Sequence, residues 1–114
     1  MVVKKKYIPK RGDVVWTNFD PAAGHEQMGK RPALVLSPSP FNKQVMLAMV
    51  APITSRVRGH GFEVPLNGKK VEGVVLCQQV KMIDFTERGV QFTEKAPETV
   101  TRDALAKVRA IVSE

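Results

Sequence analysis

The segment Gly24-His25-Glu26-Gln27-Met28-Gly29-Lys30-Arg31-Pro32 is a polar loop that runs directly into an apolar stretch, Ala33 to Ser37. Proline confines the residue before it to extended geometry, so Arg31 is held at the mouth of a strand instead of swinging freely. A guanidinium fixed there offers a planar fork of donors suited to a phosphate. A second apolar stretch, Val45 to Ala51, leads through Pro52-Ile53 to two hydroxyls, Thr54 and Ser55. If the two stretches are neighbouring strands, Arg31 and Thr54 emerge from the sheet close together. Two plainer readings stay open at this point. Arg31 can instead form a surface ion pair with Glu26, and Thr54 and Ser55 can be ordinary turn formers.

Other catalytic templates fail. The chain has no P-loop, no paired-glycine nucleotide fingerprint and no H-E-x-x-H motif. Its one cysteine, Cys77, cannot make an internal disulfide and follows the apolar run Gly73 to Leu76, which marks a buried thiol over a nucleophile. One Cys and two His are too few for a structural zinc site, so neither metal nor cofactor is expected. His25 and His60 each lie in a Gly-bounded loop. A two-histidine ribonuclease pair is one reading of them, and solvated loop histidines are the other.

The charge of the 114-residue chain has an address. It carries 18 Lys and Arg against 11 Asp and Glu, a formal +7. Residues 1–70 hold 12 Lys and Arg with 4 Asp and Glu (+8), and residues 71–114 hold 6 with 7 (−1). The excess sits at Lys4–Lys6, Lys10-Arg11, Lys30-Arg31, Arg56/Arg58 and Lys69-Lys70. Such asymmetry points to a polyanion, usually nucleic acid, against the alternative of a solvated basic face. Lys4–Lys6 reads as a frayed terminus adding non-specific phosphate attraction. With 43% hydrophobic and 25% charged residues, the composition is that of a globular chain, taken as one domain over residues 1–114. The longest apolar stretch, Val45 to Ile53, is far short of the ~20 residues that span a bilayer, and no targeting segment is visible. A soluble protein of the cytoplasm, without a membrane partner, is expected.

These residues must be positioned by short β-rich runs separated by Gly, Pro and Asn. Asp13 to Phe19 is the first, after an Arg11-Gly12 turn, followed by a loop over Pro21 to Gly29. The strand Ala33 to Ser37 is closed by the breaker Pro38-Ser39-Pro40. Val45 to Ala51 is a buried strand ending before Pro52, and Thr54 to Gly61 is a loop. Phe62 to Leu66 alternates and turns at Asn67-Gly68, a two-residue hairpin signal. Gly73 to Ile83 suits a central strand or a bent pair. At the tail, Ala104, Leu105, Val108, Ile111 and Val112 recur with helical period after Thr101, a candidate N-cap. Many short strands closed by one helix imply a mainly β fold with a C-terminal α-helix, a small barrel or coiled sheet whose open end or face the helix covers.

Gly12-Asp13-Val14-Val15-Trp16, Phe19-Asp20-Pro21, Gly24-His25-Glu26-Gln27 and Arg31-Pro32-Ala33-Leu34-Val35-Leu36-Ser37-Pro38 together resemble the MazF/PemK/Kid endoribonuclease toxins in order and spacing. The resemblance continues through Ala51-Pro52-Ile53-Thr54-Ser55, Gly73-Val74 and Gln79-Val80-Lys81-Met82-Ile83-Asp84 to the helix, so it covers nearly the whole chain. It implies an SH3-like (CcdB/PemK-type) barrel assembled as a homodimer. It also implies metal-independent, sequence-specific cleavage of single-stranded RNA, an mRNA interferase activity that inhibits translation. Arg31 and Thr54 inherit the catalytic pair, with Glu26 implicated beside them. The partner implied is an antitoxin whose acidic, flexible tail lies over the RNA groove. Many relatives carry an acidic residue where this chain has Gln78.

The remaining candidates for RNA contact are His25, Gln27, Lys30, Ser55, Arg56, Arg58, Lys69, Lys70, Gln78 and Lys81. RNA supplies its own nucleophile, the 2′-OH, so the protein must align it, move two protons and stabilise a pentacoordinate phosphate. A guanidinium is a poor general base because its pKa lies above ~12. Glu26 or His25 as base, with Arg31 electrostatic, is therefore a rival to Arg31 handling protons. Two other functions compete with RNA cleavage: a non-catalytic SH3-like nucleic-acid-binding module, and a CcdB-like gyrase poison.

Overall fold

A computed structural model describes residues 6–113, so Lys4 and Lys5 of the expected frayed terminus lie outside the described residues. Seven strands and two helices follow in chain order: β1 (Asp13–Asn18), β2 (Lys30–Val35), α1 (Ser39–Val45), β3 (Ala48–Thr54), β4 (Glu63–Asn67), β5 (Glu72–Leu76), β6 (Lys81–Ile83), β7 (Gln91–Lys95) and α2 (Glu98–Val112). All pairings are antiparallel, in the order β4-β5-β3-β2-β1-β7, with β6 attached to β3. The sheet is a half-barrel with a C-terminal helix, as the strand-rich pattern implies.

The apolar runs are continuous because the central strands bury both faces. Val14, Leu34, Leu36, Ala51 and Ile53 point into one cluster, which Val100 and Ala104 of α2 also enter. Val15, Ala33, Val35 and Val50 point into a second, closed by Phe19, Ile83 and Phe85. Alternation along each strand therefore feeds two small cores in place of one. The helix α2 covers β4 and the 3-10 turn Cys77–Gln79. Cys77 is fully buried there, and burial pushes its thiol up to about 11, so it is protonated and inert at neutral pH. Of the apolar residues of the expected helix face, Ala104 is buried and Leu105 and Val108 pack on the core, but Ile111 and Val112 are exposed. Among the described residues no helix is long and apolar enough to cross a membrane.

Several local expectations are corrected. Pro38-Ser39-Pro40 opens helix α1 rather than only ending a strand, since a proline in a first helical turn gives up an N–H that has no partner there. The helix ends at Met46 in left-handed geometry (φ 58), and it is anchored by buried Asn42, whose Nδ2 donates to Pro9 O and Ser37 O. Val45 thus ends a helix, and the strand begins at Ala48 and continues through Pro52 to Thr54. Pro52 falls in the gap where β3 exchanges β6 (paired with 48–50) for β5 (paired with 53–54), a place where a missing N–H is tolerated. The expected two-residue turn at Asn67-Gly68 is a longer loop, because Asn67 pairs with Glu72 and Gly68 N–H donates to Val71 O. Thr101 is not the N-cap: α2 starts at Glu98 after Pro97, and the Thr101 hydroxyl is buried a turn inside. Lastly, β7 is a strand without a strong periodic signal, which the sequence pattern does not reveal. The stretch Gly73 to Ile83 is the bent pair, β5 and β6 hinged at the 3-10 turn.

Candidate active site

The loop between β1 and β2 is tied at its neck and at its tip. At the neck, Phe19 N–H donates to Gly29 O (3.0 Å) and Gly29 N–H donates to the Asp20 carboxylate (3.0 Å). Arg88 adds Nη1 bonds to the carbonyls of Asn18 (2.7 Å) and Asp20 (2.9 Å). At the tip, the Gln79 carboxamide accepts from Gln27 N–H (2.6 Å) and donates to His25 O (3.1 Å). A segment of this polarity is thus made rigid by side chains that satisfy its backbone.

Arg31 leaves the loop at the start of β2, opposite Thr17. Its Nε donates to Met28 O (2.5 Å). With the Gln27 carboxamide turned so that its oxygen faces the guanidinium, that oxygen lies 2.9–3.0 Å from all three guanidinium nitrogens. The expected alternative, an Arg31–Glu26 ion pair, is not what the geometry holds. Glu26 turns back on its own loop and accepts from Ala23 N–H (2.7 Å). Only neutral groups hold the guanidinium, which keeps its charge for an outside anion.

Thr54 ends β3 and is nearly buried. Its hydroxyl oxygen accepts from Arg56 N–H (3.2 Å), so it does form a turn, yet the hydroxyl proton remains to donate. Gly73 on β5 makes this placement possible. At φ 154 it lies so close to the Thr54 carbonyl that a Cβ there would displace one strand or the other.

Thr54 lines two clefts. The first, of about 290 Å³, contains Arg31, Lys30, Ser55, Lys70 and Trp16. The second, of about 370 Å³, contains His25, Glu26, Gln27, Arg56, Arg58, His60 and Gln78. Gln78 and His60 face one another there, Nε2 to Nε2, at 3.2 Å. Lys81 lies in neither. It lines an adjoining hollow, with Phe19 and Pro52, that shares His25, Glu26, Gln27, Gln78 and Gln79 with the second cleft. Lys69, exposed on the β4–β5 loop, lines none of these hollows. Sequence reasoning misses Trp16 and Gln79 as site residues. Trp16 reads as one more strand residue, but its side chain is 41% exposed in the Arg31 cleft. Gln79 differs from its neighbour Gln78 only in facing the loop, which no sequence pattern reveals.

Two carboxylates near Thr54, those of Glu26 and Glu63, bind backbone N–H groups, while a third, the exposed Glu72, lines the Arg31 cleft. Glu63 accepts from Arg58 N–H (2.9 Å) and Gly59 N–H (2.7 Å). The Arg58 N–H foremost holds its carboxyl below the usual range; Gly59 N–H and the charges of His60 and Arg58 add to this while burial opposes. Among the described residues the only ion pairs within 4.0 Å are His60–Glu63 and Arg102–Asp103. Lys30, Arg31, Lys70, Arg56 and Arg58 outnumber Glu72 and Glu26 in the two clefts, which leaves them a positive balance for a polyanion.

The family model for the PemK-like, MazF-like toxin of type II toxin–antitoxin systems matches residues 10–112. The chain belongs to this toxin family. It is 40% identical over 108 residues to the endoribonuclease toxin MazF of Escherichia coli K12, covering 95% of this chain and 94% of that protein. It superposes on crystalline MazF from Deinococcus radiodurans with TM-score 0.89 at 41% identity, over 94% of this chain and 98% of the other. A MazE–MazF crystal structure from the same organism matches with TM-score 0.82 at 35% identity, over 95% and 98% of the two chains. In this toxin chain both clefts thus belong to a fold shared end to end with MazF.

Proposed function

We propose that this toxin-family chain is a sequence-specific, metal-independent endoribonuclease that cuts single-stranded RNA, mRNA included, and so inhibits translation. One observation carries the reading: Arg31, held by neutral acceptors, shares a cleft with Thr54, Lys30 and Lys70, where three cations face the single carboxylate of Glu72. The 2′-OH attacks the adjacent phosphorus, the P–O5′ bond breaks, and the products are a 2′,3′-cyclic phosphate and a 5′-hydroxyl. One proton leaves the 2′-OH for a base, and one reaches the departing O5′. Arg31 and the Thr54 hydroxyl stabilise the charge that builds on the phosphoryl oxygens. Glu26 and His25 both border the Thr54 cleft with exposed side chains, and Glu26 accepts Ala23 N–H on one carboxylate oxygen while the other is left to act as base. His25, Gln27, Lys30, Ser55, Arg56, Arg58, Lys69, Lys70, Gln78 and Lys81 bind the RNA around the cut.

The domain of residues 1–114 acts in the cytoplasm as a homodimer. The half-exposed apolar residues Phe41, Val45, Met46 and Leu47 are a surface of the kind an interface covers. The acidic, flexible tail of a cognate antitoxin occupies the same basic clefts as RNA, and the crystallised MazE–MazF pair supports such a partner. Incubating the protein with one long RNA in EDTA tests the reading. A ladder of defined cuts ending in cyclic phosphate is expected. Intact RNA would favour a binding module or, with inhibited supercoiling, a gyrase poison.

A further inference from the structure

The sheet order leaves β4 and β7 at opposite ends, so the half-barrel has an opening. A carboxylate of β7 reaches across it. Glu94 of β7 reaches the loop between β4 and β5 and accepts three backbone N–H groups: Lys69 on Oε1 (2.9 Å), and Lys70 and Val71 on Oε2 (2.8 Å each). The loop is moulded to this carboxylate. A Cβ at Gly68 would stand 2.6 Å from Glu94 Oε2 and 2.8 Å from Val71 O. Burial alone would raise the Glu94 carboxyl, but the three N–H donors and the charge of Lys70 outweigh it and hold it below its usual value. The loop so fixed places Lys70 and Val71 in the wall of the cleft that contains Arg31, Thr54 and Trp16.

We propose that Glu94 is a positioning residue for RNA binding, fixing the Lys69–Val71 backbone so that the Lys70 ammonium stands over the Arg31–Thr54 cleft. This rests on the clefts being an RNA surface. An acidic side chain here strengthens the binding of a polyanion because it organises a cation, although its own charge opposes that binding. Preorganisation of one ammonium lowers the ordering cost that RNA otherwise bears.

The test is binding of a labelled, uncleavable 2′-O-methyl oligonucleotide by fluorescence anisotropy, with KM and kcat measured in parallel on cleavable RNA. Glu94→Gln removes one negative charge, so simple electrostatics predicts tighter binding. The proposal predicts Kd and KM about five- to tenfold higher, kcat within about twofold, and a salt slope shallower by about 0.7, the value for one neutralised phosphate on a single strand. Lys70→Ala, a change of an exposed side chain, should reproduce the same loss, and the double variant should be no worse than either single one. Asp103→Asn, on the exposed face of α2, is the charge control and should not weaken binding. Unchanged or tighter binding by Glu94→Gln, additive losses in the double variant, or a silent Lys70→Ala would overturn the proposal. A wild-type protein that binds the oligonucleotide but never cuts RNA refutes the endonuclease reading alone; the binding arms still decide the role of Glu94.

Discussion

The two clefts that meet at Thr54 differ in what they present. One offers a guanidinium, two ammonium groups, a hydroxyl, an indole face and a single carboxylate, from Arg31, Lys30, Lys70, Ser55, Trp16 and Glu72. The other offers imidazoles and carboxamides, from His25, His60, Gln27 and Gln78, beside Arg56, Arg58 and Glu26. Charge and planar stacking recognise phosphate and any base; carboxamides and imidazoles read the edges of particular bases. Under the proposed function the difference divides the labour: phosphoryl chemistry beside Arg31, sequence preference beside Gln78, and Thr54 serving at the boundary.

Thr54→Val should break this division most strongly. It keeps the shape and removes a donor shared by both clefts, so kcat should fall by about 10- to 100-fold, with the thermal midpoint lower by about 2–8 °C from the lost acceptor for Arg56 N–H, read by single-turnover kinetics beside a melting curve. Next comes Trp16→Ala. A lost stacking platform weakens single-strand binding by about tenfold, seen as a higher KM with kcat preserved and no change in cut sites. A change of cut sites would move base reading to the Arg31 cleft. The smallest effect belongs to Arg56→Ala with Arg58→Ala. Their joint removal should flatten the slope of log K against log salt by about 0.7 for each phosphate they neutralise, leaving kcat at saturating RNA as it was.

The same contrast separates what the sequence makes legible from what it does not. Arg31-Pro32 and Pro52-Ile53-Thr54 announce themselves, because a proline beside a functional side chain is a local device. That β2 and β3 are neighbours follows in the structure from Ala33 opposite Pro52. Continuous apolar runs announce buried strands, but not that the sheet has a core on each face. Helix α1 is hidden because Pro38-Ser39-Pro40 suits both a strand end and a helix start. The clamps are hidden as well. Glu63, Glu94, Gln79 and Arg88 act on backbone groups 4 to 70 positions away, and neither charge pattern nor motif reports such a bond. Exposure of Trp16 likewise depends on where the sheet curves.

The most direct test is to digest one long RNA in EDTA with the wild type, Arg31→Ala and Gln78→Ala, mapping every cut and its rate. Arg31→Ala should slow all sites together by at least ~10²-fold with the pattern preserved. Gln78→Ala should instead redistribute cutting among sites with rates within a few fold. Near-normal rates in Arg31→Ala, or a uniform loss in Gln78→Ala with an unchanged pattern, would contradict this division of labour.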